Sequence, residues 1–216
     1  MVKDLVIIGA GGFAREASLL IEEINAAAGS GKELWKLLGF IDEDQAKWGG
    51  KMRGYPVLGG WDALDKLPAG VAVICVVGNP ASKRKLVEKA EERGRPFVNL
   101  VHPSVELAAD VQLGRGVLIN NGCILTTNIV VGDHASINPG CGIGHDAVIE
   151  AYSTLMWRVN ISGAVKVGEG CLLGTGATVL QGLKIGENST VGAGAVVTKN
   201  VAAGVTVAGI PAKPLE

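Results

Sequence analysis

Val165-Lys166-Val167-Gly168-Glu169-Gly170-Cys171-Leu172-Leu173-Gly174-Thr175-Gly176-Ala177-Thr178-Val179 repeats its pattern every six residues. Val167, Leu173 and Val179 are aliphatic, and a smaller apolar residue, Val165, Cys171 or Ala177, stands two places before each. Carried outward, the step of six runs from Val101 through Ile119, Ile137, Ile149 and Ile161 to Val197 without a break, and all seventeen positions are Leu, Ile or Val. Only 48% of the chain is hydrophobic, so composition alone does not produce such a run. Side chains two apart on an extended chain point the same way, so each pair enters a common interior. A helix of 3.6 residues per turn cannot keep a six-residue stripe on one face, and hairpins need turn signals at longer spacing. Short strands joined by corners, wound into a parallel β-helix, satisfy the period. Glycine often follows the aliphatic residue, as in Val131-Gly132, Val167-Gly168 and Val191-Gly192, and is expected there to give a corner its positive φ.

The composition agrees with a narrow coil: 32 glycines stand against nine aromatic residues in 216. Cys123, Cys141 and Cys171 fall on the small inward position, where a thiol serves as a compact apolar group, and Cys75 lies in an apolar strand run. No zinc spacing is present, so no metal is expected. The 20 basic and 21 acidic residues leave a net charge of -1, which argues against nucleic acid or an anionic membrane as partner. The first apolar run, Leu5 to Gly9, is too short for a secretion signal, and a reduced, cytoplasmic protein is expected.

Residues 1–100 read differently from residues 101–216, and the two segments are expected to be separate domains. Leu5-Val6-Ile7-Ile8-Gly9-Ala10-Gly11-Gly12 is a buried strand entering a glycine turn, and Phe13 to Ala27 carries apolar residues at helical spacing. Further strands are expected at Leu37 to Ile41 and Val71 to Val77, with helices at Trp61 to Leu67 and Ala81 to Arg93, a Rossmann-like α/β arrangement. Gly9, Gly11 and Ala14 fit the spacing by which main-chain N–H groups reach a phosphate at a helix start. The ribose-binding acid expected about twenty residues on in a dinucleotide fold has no clear counterpart, although Asp42 ends the second strand, so a nucleoside diphosphate group is favoured over NAD. A glycine turn that merely packs strand on helix fits the same letters.

His145 falls at a corner of the coil and is expected to project outward beside Asp146. Such a pair suits a general base near neutral pH, and equally a solvated surface pair. His134, also off the inward register, is expected on the surface, and His102 at the junction where the coil begins.

Gly9-Ala10-Gly11-Gly12, Gly78-Asn79, Val98-Asn99-Leu100-Val101-His102-Pro103-Ser104, Ile137-Asn138, His145-Asp146 and Gly209-Ile210-Pro211-Ala212-Lys213, in this order, resemble the sialic-acid O-acetyltransferase and UDP-4-amino-sugar N-acetyltransferase family. The resemblance implies an α/β N-terminal domain that binds a nucleotide sugar, then a left-handed β-helix that binds acetyl-CoA, in a homotrimer with the active site between subunits. It further implies that His145 is the base and Asp146 its orienting carboxylate. By the same resemblance, Gly163 turns its N–H to the thioester, and Lys213 lies near the CoA nucleotide. Asn138 would stand near the acceptor, while Gly9, Gly11, Gly12 and Asp42 would hold the nucleotide. Met156-Trp157-Arg158 departs from the family's small residues and points to a reshaped pocket or a subunit contact. The expected reaction is N-acetylation of a nucleotide-linked 4-amino sugar for surface-glycan synthesis. The alternatives are O-acetylation of a sugar or serine hydroxyl, and a catalytically silent nucleotide-sugar-binding subunit.

Overall fold

The computed structural model describes residues 2–215 and divides them into two compact units. One comprises the residues up to Gly78 with Ser82–Leu100, and the other Asn79–Ala81 with the residues from Val101 onward. In the first, β1 (Lys3–Ile8) is the strand about which the rest is ordered, because Leu5, Val6, Ile7 and Ile8 are at most 1% exposed. Such a run, apolar on both faces, is what a central parallel strand requires. β2 (Trp35–Ile41) and β5 (Ala72–Cys75) flank it in parallel. α1 (Gly12–Ala28) buries Ala14, Ala17, Leu20, Ile21 and Ile24, the i, i+3, i+4, i+7 stripe of a helix lying on a sheet. The two other α-helices among the described residues are α2 (Trp61–Asp65) and α3 (Pro80–Glu91).

A hairpin absent from the sequence reading completes this sheet. β3 (Lys51–Met52) runs antiparallel to β4 (Tyr55–Gly59), and β4 pairs in parallel with β2, giving the order β3-β4-β2-β1-β5. Pro56 interrupts the strand pattern of β4, and its carbonyl oxygen lies 2.3 Å from where a Cβ on Gly39 would stand. Only glycine, here at φ +147, lets β2 and β4 come that close.

The second unit is a left-handed coil of two-residue strands in three parallel sheets. Val130 pairs with Val148 and Val148 with Lys166; Ser136 pairs with Thr154, and Gly142 with Asn160. Each partner is 18 residues away, three six-residue units per coil. The aliphatic register fills the interior, with Ile119, Val131, Ile137, Ile143, Ile149, Leu155 and Val167 at most 1% exposed. Leu107 is the exception at 39%, since the strands of the coil stack regularly only from Gln112–Leu113 onward. Polar residues on the inward register are satisfied by main chain: Ser153 Oγ donates to the Gly168 carbonyl at 2.8 Å, and Cys171 Sγ to that of Gly186 at 3.0 Å. A short antiparallel pair, Thr206–Ala208 with Lys213–Pro214, ends the described coil.

The corners differ from the sequence expectation. Positive φ occurs at every sixth residue from Gly116 to Gly194, three places beyond each inward aliphatic residue and so two beyond the position where glycine often follows it. Glycines at the earlier place serve another purpose. A Cβ on Gly132, Gly168 or Gly174 would stand 2.5 to 2.7 Å from main-chain nitrogen of the next coil. His134 also departs from expectation: it occupies a left-handed corner, φ +58, yet is 1% exposed, with its ring stacked on Tyr152 of the next coil at 5.3 Å between centroids.

These two glycine roles separate by mutation. Gly176→Ala, with open space around its Cβ, is expected to cost about 1–2 kcal/mol from backbone strain alone. Gly174→Ala meets rigid main chain and is expected to cost more, read as the shift in denaturant midpoint of the full chain. Equal midpoints for the two variants would contradict the assignment.

Candidate functional site

The first unit carries a cleft of about 410 Å³ where β1, β2 and β5 end. Gly9, at φ +107, lets the chain leave β1 against β5, since a Cβ there would stand 2.9 Å from the Val76 carbonyl oxygen. Gly11 and Gly12 are different: a Cβ on either meets nothing within 4 Å and would project into open space. Their missing side chains leave the start of α1 bare, and Gly11 caps that helix without any side-chain bond. The first N–H groups of a 17-residue helix thus face the opening, an arrangement that favours an anion.

Asp42 closes the opposite wall. Its carboxylate accepts from the N–H of Ala10 at 2.7 Å, the N–H of Asp44 at 2.9 Å and Lys47 Nζ at 3.0 Å. Burial works against its charge, but the bonds from Asp44, Lys47 and Ala10 outweigh it and hold the carboxyl below its usual range. Asp42 therefore locks the glycine turn to the end of β2. Sequence reading missed three cleft residues. Lys47 brings an ammonium to the lining, and Glu43 and Trp61 join through a 2.8 Å bond from the indole N–H to the carboxylate. Lys89 holds the same Glu43 oxygen, while the Arg93 guanidinium lies 4.9 Å from the centre of the Trp61 ring. None of these residues belongs to a local motif; the sheet order alone gathers them.

On the coil, His145 and Asp146 occupy one corner, and both side chains are half-exposed or more. Asp146 has φ +61, a conformation that short polar side chains tolerate better than most. The turn brings its Oδ2 within 2.7 Å of His145 Nδ1, while Oδ1 accepts from Asn128 Nδ2 at 2.6 Å. The bond from Asn128 and then that to His145 lower the Asp146 pKa, so the carboxylate stays charged through neutral pH. With Asp146 on Nδ1, the imidazole presents Nε2 as its free position. Gly163, 18 residues on, makes room for the ring: a Cβ there would stand 2.5 Å from His145 Nε2.

Of the expected site residues, the structure thus brings His145, Asp146 and Gly163 together on one edge. Gly9, Gly11, Gly12 and Asp42 meet in the cleft. Asn138 is 2% exposed, with its amide donating to the Leu155 carbonyl at 2.9 Å, and Lys213 lies exposed in the closing strand pair. Among the described residues no hydrogen bond or ion pair joins either of them to His145. Met156 has its sulfur 4.0 Å from the Asn138 amide, Trp157 is 44% exposed, and the Arg158 stem crosses over Gly140.

Known proteins resemble this chain in sequence and fold. Residues 4–90 match the family described as the PglD N-terminal domain, and residues 164–199 match the bacterial transferase hexapeptide (six repeats). The chain is 30% identical over 217 residues to GDP-perosamine N-acetyltransferase of Escherichia coli O157:H7, covering 97% of this chain and 95% of the relative. PerB from Caulobacter crescentus, solved with CoA and GDP-perosamine, superposes with a TM-score of 0.87 at 33% identity over 100% of this chain and 99% of that one. WeeI from Acinetobacter baumannii gives 0.85 at 32% identity, over 99% and 100%.

The carboxyl carbon resonance of Asp146 is expected to titrate below the ordinary midpoint of 3.8 in the folded chain. Because the folded value is depressed, the stability this group confers is present above the unfolded value and fades as pH falls through the folded one. A midpoint at or above the ordinary value would show that neither Asn128 nor His145 holds the carboxylate in solution.

Proposed function

The chain belongs to the left-handed β-helix acetyltransferases of nucleotide-linked amino sugars, and from that premise we propose how its own residues carry the reaction. It is an acetyl-CoA-dependent N-acetyltransferase whose acceptor is an amino sugar on a nucleoside diphosphate. The observation that carries the assignment of residues is the His145–Asp146 pair lying over a glycine that leaves imidazole Nε2 unobstructed.

In this reading Asp146 holds the Nδ1–H of His145, and Nε2 accepts the proton that the sugar amine loses as its nitrogen bonds to the thioester carbon. The C–S bond then breaks, and the CoA thiolate leaves and takes up a proton. A positioned base of this kind contributes roughly 10² to 10⁴ in rate. The Gly163 N–H donates to no acceptor among the described residues and is available to the developing oxyanion. Support for the histidine comes also from the Caulobacter enzyme, of which histidine-to-asparagine and histidine-to-alanine variants are known with CoA and GDP-perosamine.

The cleft of the first unit takes the nucleotide. Helix-start N–H groups at Gly11 and Gly12, with Lys47 beside them, suit the diphosphate, and Asp42 keeps that turn in shape. The favoured acceptor is a GDP-linked 4-amino sugar, since the E. coli and Caulobacter relatives bear that nucleotide in their names or complexes. Lys213 near the CoA nucleotide, Asn138 near the acceptor, a cytoplasmic setting and a homotrimer complete the proposal. The two residue roles and the homotrimer rest on family resemblance, and the setting on four buried cysteines that form no disulfide among the described residues.

Thiol release from acetyl-CoA by the full chain, with a panel of GDP- and UDP-linked 4-amino sugars, tests the assignment. GDP-linked acceptors are expected to turn over, and His145→Ala to lower kcat by roughly 10² to 10⁴. Turnover by His145→Ala within a factor of three of the parent would remove the base assignment. Nucleotide-sugar binding without thiol release from any acceptor would favour a silent subunit.

A further inference from the structure

The left-handed corners of successive coils form columns at 18-residue spacing; Asn128 stands directly before Asp146 in one of them, and Asp110, which is not itself left-handed, stands 18 residues before Asn128. In a neighbouring column most corners are glycine: Gly122 and Gly140, and again Gly176 and Gly194, stand one above another with φ between +66 and +72. At Asn128 a neutral amide sits between two carboxylates. Asn128 Nδ2 donates to Asp146 Oδ1 at 2.6 Å, and the Asn128 main-chain N–H donates to the Asp110 carboxylate. Asp110 is fixed in turn by Thr127 Oγ1 at 2.5 Å. The row therefore runs from Thr127 and Asp110 through Asn128 to Asp146 and ends at His145 Nδ1.

We propose that Asn128 is a positioning residue for the acetyl transfer: it holds the Asp146 carboxylate in the one orientation that faces His145. The proposal rests on the assignment of His145 as base. Asp146 is half-exposed, so water competes for both of its oxygens. A carboxylate anchored only through Oδ2 rotates and releases the imidazole, which then loses the tautomer with its lone pair at Nε2. The Asn128 amide occupies Oδ1 and leaves Oδ2 for the ring. Asn is also a residue that tolerates φ +52, and Asn188 fills a corner with no such partner. The two explanations part when the amide is removed and the backbone is not strained.

Asn128→Gly does this, because glycine occupies the equivalent corner elsewhere in the coil. With saturating acetyl-CoA and a GDP-linked 4-amino sugar, kcat is expected to fall roughly tenfold, the scale of one charge-assisted hydrogen bond, while both KM values stay within twofold. The melting midpoint is expected to hold. Asn128→Asp keeps the backbone preference but places a third carboxylate in the column. The titratable groups facing that column are His145 on one side and Asp110 on the other. Added negative charge favours every protonated form in the row, so the acid limb of the kcat/KM profile is expected to move to higher pH. His145→Ala is measured alongside. Loss of activity in His145→Ala with kcat of Asn128→Gly within twofold of the parent, or an acid limb unmoved in Asn128→Asp, overturns the role of Asn128 and leaves the base intact. Parent-like turnover in His145→Ala overturns both.

Discussion

Everything in the second unit depends on the corner bond of the coil. The strand amides donate to the following coil, as Asn120 does to Ile137 and Gly144 to Ile161. The corner amides donate the other way: those of His134, Asp146, Arg158, Ala164 and Gly182 reach the preceding coil at 2.7 to 3.1 Å. That reversal needs the backbone to turn left-handed once in every six residues, at about 1–2 kcal/mol wherever the residue carries a Cβ. A net hydrogen bond of roughly the same size offsets it. The prism is thus held by a repeated near-balance, and the choice of residue at each corner is free to follow other demands.

How those demands are distributed is informative. Of the fourteen corners from Gly116 to Gly194, seven are glycine, and six of the seven others lie between Asn128 and Ala164, interrupted only by Gly140. Strained backbone concentrates where a side chain is wanted at the corner for its own chemistry. His134 and Tyr152 use their corners to stack, Asp146 uses its corner to face an imidazole, and Arg158 to cover Gly140. Outside that stretch, glycine returns almost without exception. His145 and the costly corners occupy the same coils.

The sequence made the coil legible because aliphatic register is a property of single positions, and Ile119, Ile137 and Leu155 keep it whatever surrounds them. It did not disclose which residue turns left-handed, since half of those corners carry no glycine, while glycines such as Gly132 and Gly174 answer a clash with the next coil that only the wound chain creates. The burial of His134 was hidden for the same reason: its cover is Tyr152, eighteen residues away. In the first unit the strand Leu5 to Ile8 and its glycine turn were plain. The hairpin at Lys51–Met52 and Tyr55–Gly59 was not, because Pro56 obscures a strand whose fit depends on Gly39 of another strand. Asp42 stood out as an acid at a strand end. Its role as a clamp on Ala10 follows from the parallel pairing of β1 with β2, a tertiary fact.

The eighteen-residue coil also bears on Met156-Trp157-Arg158. Trp157 follows His145 by twelve residues, two thirds of a coil, so the two stand on different edges of the prism. Within one chain the bulky residues fit without displacing anything: Arg158 extends over Gly140, and Gly176 at the next coil leaves open space. Their bulk therefore gives no reason to expect an inert fold. The departure from the family's small residues thus leaves the coil itself intact, with Arg158 at a left-handed corner and Trp157 44% exposed.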